Sequence, residues 1–145
     1  MVETRRKLIL VVDDVEDNRD MYAQFLSYKG FQVALAGDGQ EGFDKANQLQ
    51  PDLIVMDLSL PGLDGWQTTR RLKRNERTRH IPVVALTAHA HEGVEQGARD
   101  AGCDAFVTKP CPPDELVKKI LRILESPSDV RPSSQVNDPN IRRAK

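Results

Sequence analysis

No stretch of this sequence approaches the ~18 consecutive apolar residues that a membrane helix needs, so a spanning segment is not expected. Cysteine is nearly absent. Cys103 and Cys111 stand eight positions apart with no CxxC partner set, which excludes a disulfide framework or structural zinc site and leaves two buried or half-buried thiols. Aromatics make up 5% of the chain and the formal charge is -1. Without bulk positive charge or a recognition-helix module, nucleic-acid binding is not expected. A signal peptide is not expected: Arg5, Arg6 and Lys7 precede an apolar run, residues 8–12, that is too short for an h-region and ends in Asp13 and Asp14. That run reads as the first core strand of a cytoplasmic protein. No internal repeat is visible.

What is present is a soluble globular balance, 39% hydrophobic and 30% charged over 145 residues, enough for one core and a short appendage. Apolar runs at 8–12, 53–56, 81–86 and, more weakly, 105–107 are near-continuous in Val, Ile and Leu, as parallel strands covered on both faces are. A more mixed run at 31–36 suits a sheet edge, and Pro82 falls at the start of its run, where a missing N–H is tolerated.

Helical stripes lie between the runs. Met21, Tyr22, Phe25 and Leu26 are closed by Gly30, and Leu116, Val117, Ile120, Leu121 and Leu124 follow Pro112 and Pro113. Asp38 and Glu41 resemble a capping box for a helix that Pro51 ends, and Asp64 caps a helix bearing Trp66 and Leu72. The segment 92–101 is the weakest helix, because Val94 and Ala98 offer little apolar area and Gly93 and Gly97 each cost about 1 kcal/mol of propensity. We expect it to be the most easily displaced. Five strand-then-helix units predict an α/β fold, a doubly wound five-stranded parallel sheet with helices on both faces.

The pattern stops after Glu125. Residues 126–145 carry Arg131, Arg142, Arg143 and Lys145 against Asp129 and Asp138, a balance of +2 that leaves -3 for residues 1–125. With three prolines, four serines and few large aliphatic residues, this segment reads as a flexible C-terminal tail beside a domain spanning 1–125.

In open parallel sheets, ligands bind outside the carboxyl ends of the strands. Asp13 and Asp14 close the first strand, Asp57 the third, Thr87 the fourth and Lys109 the fifth. In strand order 2-1-3-4-5 the first and third strands are neighbours, so three carboxylates converge. Such charges repel unless a cation bridges them, and hard oxygen ligands without His or Cys favour Mg2+ or Mn2+. A carboxylate nucleophile beside a hydroxyl, an ammonium and a divalent ion suits phosphoryl transfer through an acyl phosphate.

Taken in order, Val-Val-Asp-Asp, Ile-Val-Met-Asp-Leu-Ser-Leu-Pro-Gly-Leu-Asp-Gly, Ala-Leu-Thr-Ala and Phe-Val-Thr-Lys-Pro resemble the receiver domain of two-component response regulators over about residues 7–125. The resemblance implies a flavodoxin-like fold and assigns Asp57 as phospho-acceptor. It makes Asp13, Asp14, Asp57 and the Ser59 backbone carbonyl metal ligands. Thr87 and Lys109 become the contacts to phosphoryl oxygens, and Thr87 and Phe106 the switch pair. It also implies a cis Lys109-Pro110 bond, and a histidine kinase or phosphotransfer protein as donor. No output domain is expected after Glu125, so the expected output is contact with a downstream protein or onward relay, with no enzyme activity beyond self-catalysed phosphotransfer and autodephosphorylation.

Plainer readings stand beside each residue. Alone, Asp13-Asp14 is a turn or helix start, Thr87 a cap, Lys109 a surface charge and Phe106 ordinary core; their shared strand-end placement is what joins them. His89 and His91 form an H-x-H pair without a third ligand and read as exposed. His89 and Ser59, each two positions past a site residue, are candidates to tune phosphate lifetime. The basic run Arg70, Arg71, Lys73, Arg74, Arg77 and Arg79 reads as a solvated helix face. Two other functions share parts of this pattern. A Mg2+-dependent phosphohydrolase would place its nucleophile after the first strand with a second acid two residues later, whereas Asp57 is followed by Leu58 and Ser59, and no cap-sized insertion is visible. A phosphate-independent pseudo-receiver would not need the intact acidic set. Deleting residues 126–145 is expected to leave thermal stability and phosphate labelling nearly unchanged, which calorimetry and labelling with acetyl phosphate will check.

Overall fold

The computed structural model describes residues 6–58, 64–88, 92–109 and 111–125. Its elements alternate: β1 (Leu8–Val12), α1 (Glu16–Tyr28), β2 (Gln32–Ala36), α2 (Gly39–Leu49), β3 (Leu53–Asp57), α3 (Gly65–Arg74), β4 (Val83–Thr87), α4 (Glu92–Ala101), β5 (Ala105–Thr108) and α5 (Pro113–Glu125). The strands form one parallel sheet in the order β2-β1-β3-β4-β5, as expected. Every residue of β3 and β4 is buried, which is why their runs lack alternation. No helix among the described residues is long and apolar enough to cross a membrane.

Alternate residues of the strands feed two cores. Ile9, Val11, Leu53, Val55, Val84 and Leu86 pack with Tyr22 and Leu26 of α1 and Leu116, Val117 and Ile120 of α5. On the opposite face Leu10, Val12, Ile54, Met56 and Val83 pack with Ala46 of α2 and Leu72 of α3. A third, smaller cluster joins Leu58, Ala85 and Ala98 to half-buried Trp66, Val94, Cys103 and Phe106 under α4.

Several local expectations are refined. The stripes of α1 and α5 are narrower than proposed: Met21 and Leu121 are exposed, because each lies about 100° round the helix from Tyr22 and Ile120, which face the core. Ile123, absent from the expected stripe, packs against that core instead. Asp38 caps α2 by accepting from the Glu41 N–H at 2.8 Å, but Glu41 reaches past the cap to accept from the Gly37 N–H at 2.8 Å. The full capping box is at α3, where Asp64 accepts from the Gln67 N–H at 2.9 Å and Gln67 Oε1 accepts from the Asp64 N–H at 3.3 Å. β4 begins at Val83 rather than Ile81, and the carbonyl of Pro82 accepts from the Ile54 N–H at 2.9 Å.

The basic run is less free than its composition suggests. Arg71 lies over the Phe43 ring, 4.1 Å from its centre, and donates to Gln40 Oε1 at 3.0 Å, tying α3 to α2. Arg77 donates to the Asn47 carbonyl at 3.0 Å. Lys73 is half-buried; its ammonium donates to the Ile81 carbonyl at 2.8 Å and pairs with Asp104 Oδ2 at 3.1 Å. Arg70, Arg74 and Arg79 are exposed, as expected of a solvated face.

Both cysteines are free and half-buried. Burial pushes the Cys103 thiol up to about 11 and also raises Cys111, so neither is a reactive thiolate at neutral pH.

Asp104 fixes the β4–β5 edge, because its carboxylate also accepts from the Val83 N–H at 2.8 Å. Asp104→Ala strands that amide and removes the ion pair with Lys73, which keeps the Ile81 carbonyl. It is expected to cost about 1–2 kcal/mol, seen as a lower denaturation midpoint at unchanged slope.

Candidate functional site

The carboxyl ends of β1, β3 and β4 open side by side because β3 lies between the other two. Asp13 leaves β1 with its N–H donated to the Ala36 carbonyl at 3.0 Å, so the sheet ladder itself aims the residue. Its carboxylate is fully buried, accepting from the Val15 N–H at 2.9 Å and from Asn18 Nδ2 at 3.5 Å. Arg19 donates to the Asp13 carbonyl at 2.7 Å from the first turns of α1. Asp57 ends β3 and is buried, while Asp14 is exposed at the rim. One carboxylate oxygen from each of Asp13, Asp14 and Asp57 lies within 4.8 Å of the others.

Lys109 answers these acids from the end of β5. Its N–H donates to the Thr87 carbonyl at 2.7 Å, which sets its backbone beside β4. Its ammonium bonds Asp57 Oδ2 at 3.0 Å and stands 3.7 Å from Asp13 Oδ2. Thr87 is buried at the end of β4, level with Thr108. Phe106 is half-buried on β5 opposite Ala85, within the cluster under α4. Thus Asp13, Asp14, Asp57 and Lys109 are brought together, Thr87 closes the neighbouring strand, and Phe106 lies one layer away. Ser59 lies outside the described residues, as do His89, His91, Pro110 and the segment 126–145.

The electrostatics follow from the count. Three carboxylates face one ammonium, so the ionised pocket keeps a net negative charge. Burial pushes the Asp13 carboxyl above the usual carboxylate range, and the charge of Asp57 adds to this; the Val15 N–H and the Lys109 ammonium oppose it. Tyr22, buried below on α1, is pushed up to about 12, chiefly by burial and further by the charges of Asp13 and Asp57, and so stays protonated. The donor set is all oxygen, with no His or Cys, and it fits a small hard divalent cation.

Three contributors were not singled out from sequence. Asn18 and Arg19 hold Asp13 from α1. Gly65 opens α3 directly against the acid-bearing strand, where a Cβ would lie 2.2 Å from the Asp57 carbonyl oxygen and 2.6 Å from Leu58 Cα. The available signal was a glycine at the first helical position after a capping Asp, a place that does not call for glycine's conformational freedom.

A doubly wound sheet with an acid-and-lysine pocket at its carboxyl edge defines a receiver-type α/β domain. The sequence model for the response regulator receiver domain matches residues 9–121, and the chain belongs to this family, the receivers of two-component systems. Among curated relatives, the polar-differentiation response regulator DivK of Brucella ovis is 36% identical over 114 residues, covering 79% of this chain and 93% of that protein. Among solved structures, the chemotaxis protein CheY4 of Vibrio cholerae superposes with a TM-score of 0.79 at 26% identity, covering 82% of this chain and 99% of that one. The receiver domain of the sensor histidine kinase PA1611 of Pseudomonas aeruginosa, solved with a magnesium ion coordinated in its active-site cleft, is 33% identical with a TM-score of 0.78. That match covers 84% of this chain and all of the other.

A raised acid binds its proton more tightly when folded than when unfolded, so stability falls as pH rises from the ordinary carboxylate value of 3.8 through the raised one. In a chelating buffer, Asp13→Asn is therefore expected to stabilise the protein at pH 7, since the amide keeps an acceptor for the Val15 N–H. Urea titrations at several pH values should show the gain shrinking to nothing below pH 3.8.

Proposed function

We propose that this receiver accepts a phosphoryl group on Asp57 from a histidine kinase or phosphotransfer protein, and signals by changed contacts with a downstream protein. The observation that carries this reading is the Lys109 ammonium on Asp57 Oδ2 at 3.0 Å, inside a pocket that gathers two further carboxylates. An Asp57 oxygen forms a bond to phosphorus as the donor's P–N bond breaks, and the histidine ring leaves as neutral imidazole after taking up a proton. Lys109 and the Thr87 hydroxyl are positioned to hold the phosphoryl oxygens as charge builds on them.

Asp13, Asp14, Asp57 and the Ser59 carbonyl are the proposed ligands of Mg2+, with Mn2+ as substitute. When bound, the ion neutralises the crowded carboxylates and the incoming phosphoryl charge. The family match favours this reading over the phosphohydrolase, and the intact acid cluster supports phosphorylation over a phosphate-independent role. The chain turns over no external substrate in this reading; loss of the phosphoryl group to water closes its cycle.

The added group brings about -1.5 to -2 charges to the pocket. Thr87 moves toward it, Phe106 follows into the space released, and α4 shifts population between two packings.

With acetyl phosphate and Mg2+, the protein is expected to gain the mass of one phosphoryl group. Asp57→Asn abolishes that gain, Asp14→Ala raises the Mg2+ concentration required, and Lys109→Ala permits labelling but weakens the response. Intact-mass spectrometry is the measurement. Labelling of the Asp57 variant equal to that of the parent refutes the assignment.

A further inference from the structure

Little apolar area holds α4 to the rest of the fold. Its buried side chains are Ala98 and Ala101, with Val94 partly covered. Gly97 reads from sequence as a weakness in the helix, yet it has a reason in space. A Cβ there would lie 2.8 Å from Cζ3 and 3.0 Å from Cη2 of Trp66. The six-membered ring of the indole therefore rests on the bare backbone of α4. A tryptophan brings more contact area than α4's own small side chains supply, and this one joins the cluster of Leu58, Ala85, Ala98 and Phe106.

The residue before Trp66 touches the phospho-acceptor strand. Gly65 approaches the Asp57 carbonyl so closely that only hydrogen fits. The first turn of α3 is stiffened by the Asp64–Gln67 capping box and by the Thr68 hydroxyl, which donates to the Asp64 carbonyl at 2.7 Å. One covalent step along a stiff helix start thus separates the backbone of Asp57 from the ring under α4.

We propose that Trp66 is the positioning residue on which α4 is seated, and that it carries the state of Asp57 to α4 through Gly65, alongside the Thr87–Phe106 pair. The link rests on the reading of Asp57 as phospho-acceptor. A small tilt of the first turn of α3 moves the indole beneath Gly97. Because packed interfaces are bistable rather than continuously deformable, that movement selects between seatings of α4.

Trp66 is the sole tryptophan in the sequence, so its emission reports this ring alone. The full chain is treated with acetyl phosphate and Mg2+ while emission and intact mass are followed together. The expected result is an emission change that grows in step with the phosphorylated fraction and is absent in Asp57→Asn. Mass gain with unchanged emission overturns the link and leaves the phospho-acceptor reading standing. Absence of mass gain overturns that reading and the link with it.

The seat itself is tested without any phosphoryl donor. Trp66→Leu is expected to speed amide exchange across α4 by about tenfold while β1 and β3 keep their protection. Gly97→Ala should speed exchange when Trp66 is present, through the clash with the ring. It should slow exchange in the Trp66→Leu background, where only the helix propensity of alanine remains. Equal effects of Gly97→Ala in the two backgrounds, or unchanged α4 exchange in Trp66→Leu, overturn the seat.

Discussion

The ammonium of Lys109, set between the buried carboxylates of Asp57 and Asp13, is the contact on which the rest of the molecule's chemistry depends. Three elements far apart in the chain must meet to make it, and the strand order brings them there: β1 beside β3, β3 beside β4, and β4 beside β5. Among the described residues three acids meet the Lys109 ammonium, so the ionised pocket keeps a net negative charge set by the topology. That imbalance is what a bound divalent cation would relieve.

Much of this was legible in the sequence, for identifiable reasons. The central strands are covered on both faces, so they appear as unbroken aliphatic runs, and the residue following each run falls at the open edge of the sheet. Strand-end acids are therefore readable as neighbours once the strand order is given. The limits of the helical stripes were not, because Met21 and Leu121 sit where a rotation of one residue decides between core and solvent. Nor was the reach of Glu41 to Gly37, which depends on the path of the loop rather than on residue spacing.

Glycine was the least legible residue type. Gly65 and Gly97 matter because of what approaches them, the Asp57 carbonyl in one case and the Trp66 ring in the other. A single sequence shows only the missing side chain, which counts as a loss of helix propensity. The space that the missing side chain leaves becomes visible once the neighbours are placed.

The uneven anchoring of the five helices has an evolutionary consequence. α1, α2, α3 and α5 are bound into two large cores, and the Arg71–Phe43 contact stitches two of them together. Replacements on their inner faces disturb the frame that holds the acids in register. The outward residues of α4 contribute almost nothing to that frame, and exposed substitutions of this kind usually change stability by less than about 0.5 kcal/mol. Lineages that inherit this scaffold are thus free to rewrite the exterior of α4 after gene duplication while the frame beneath stays intact.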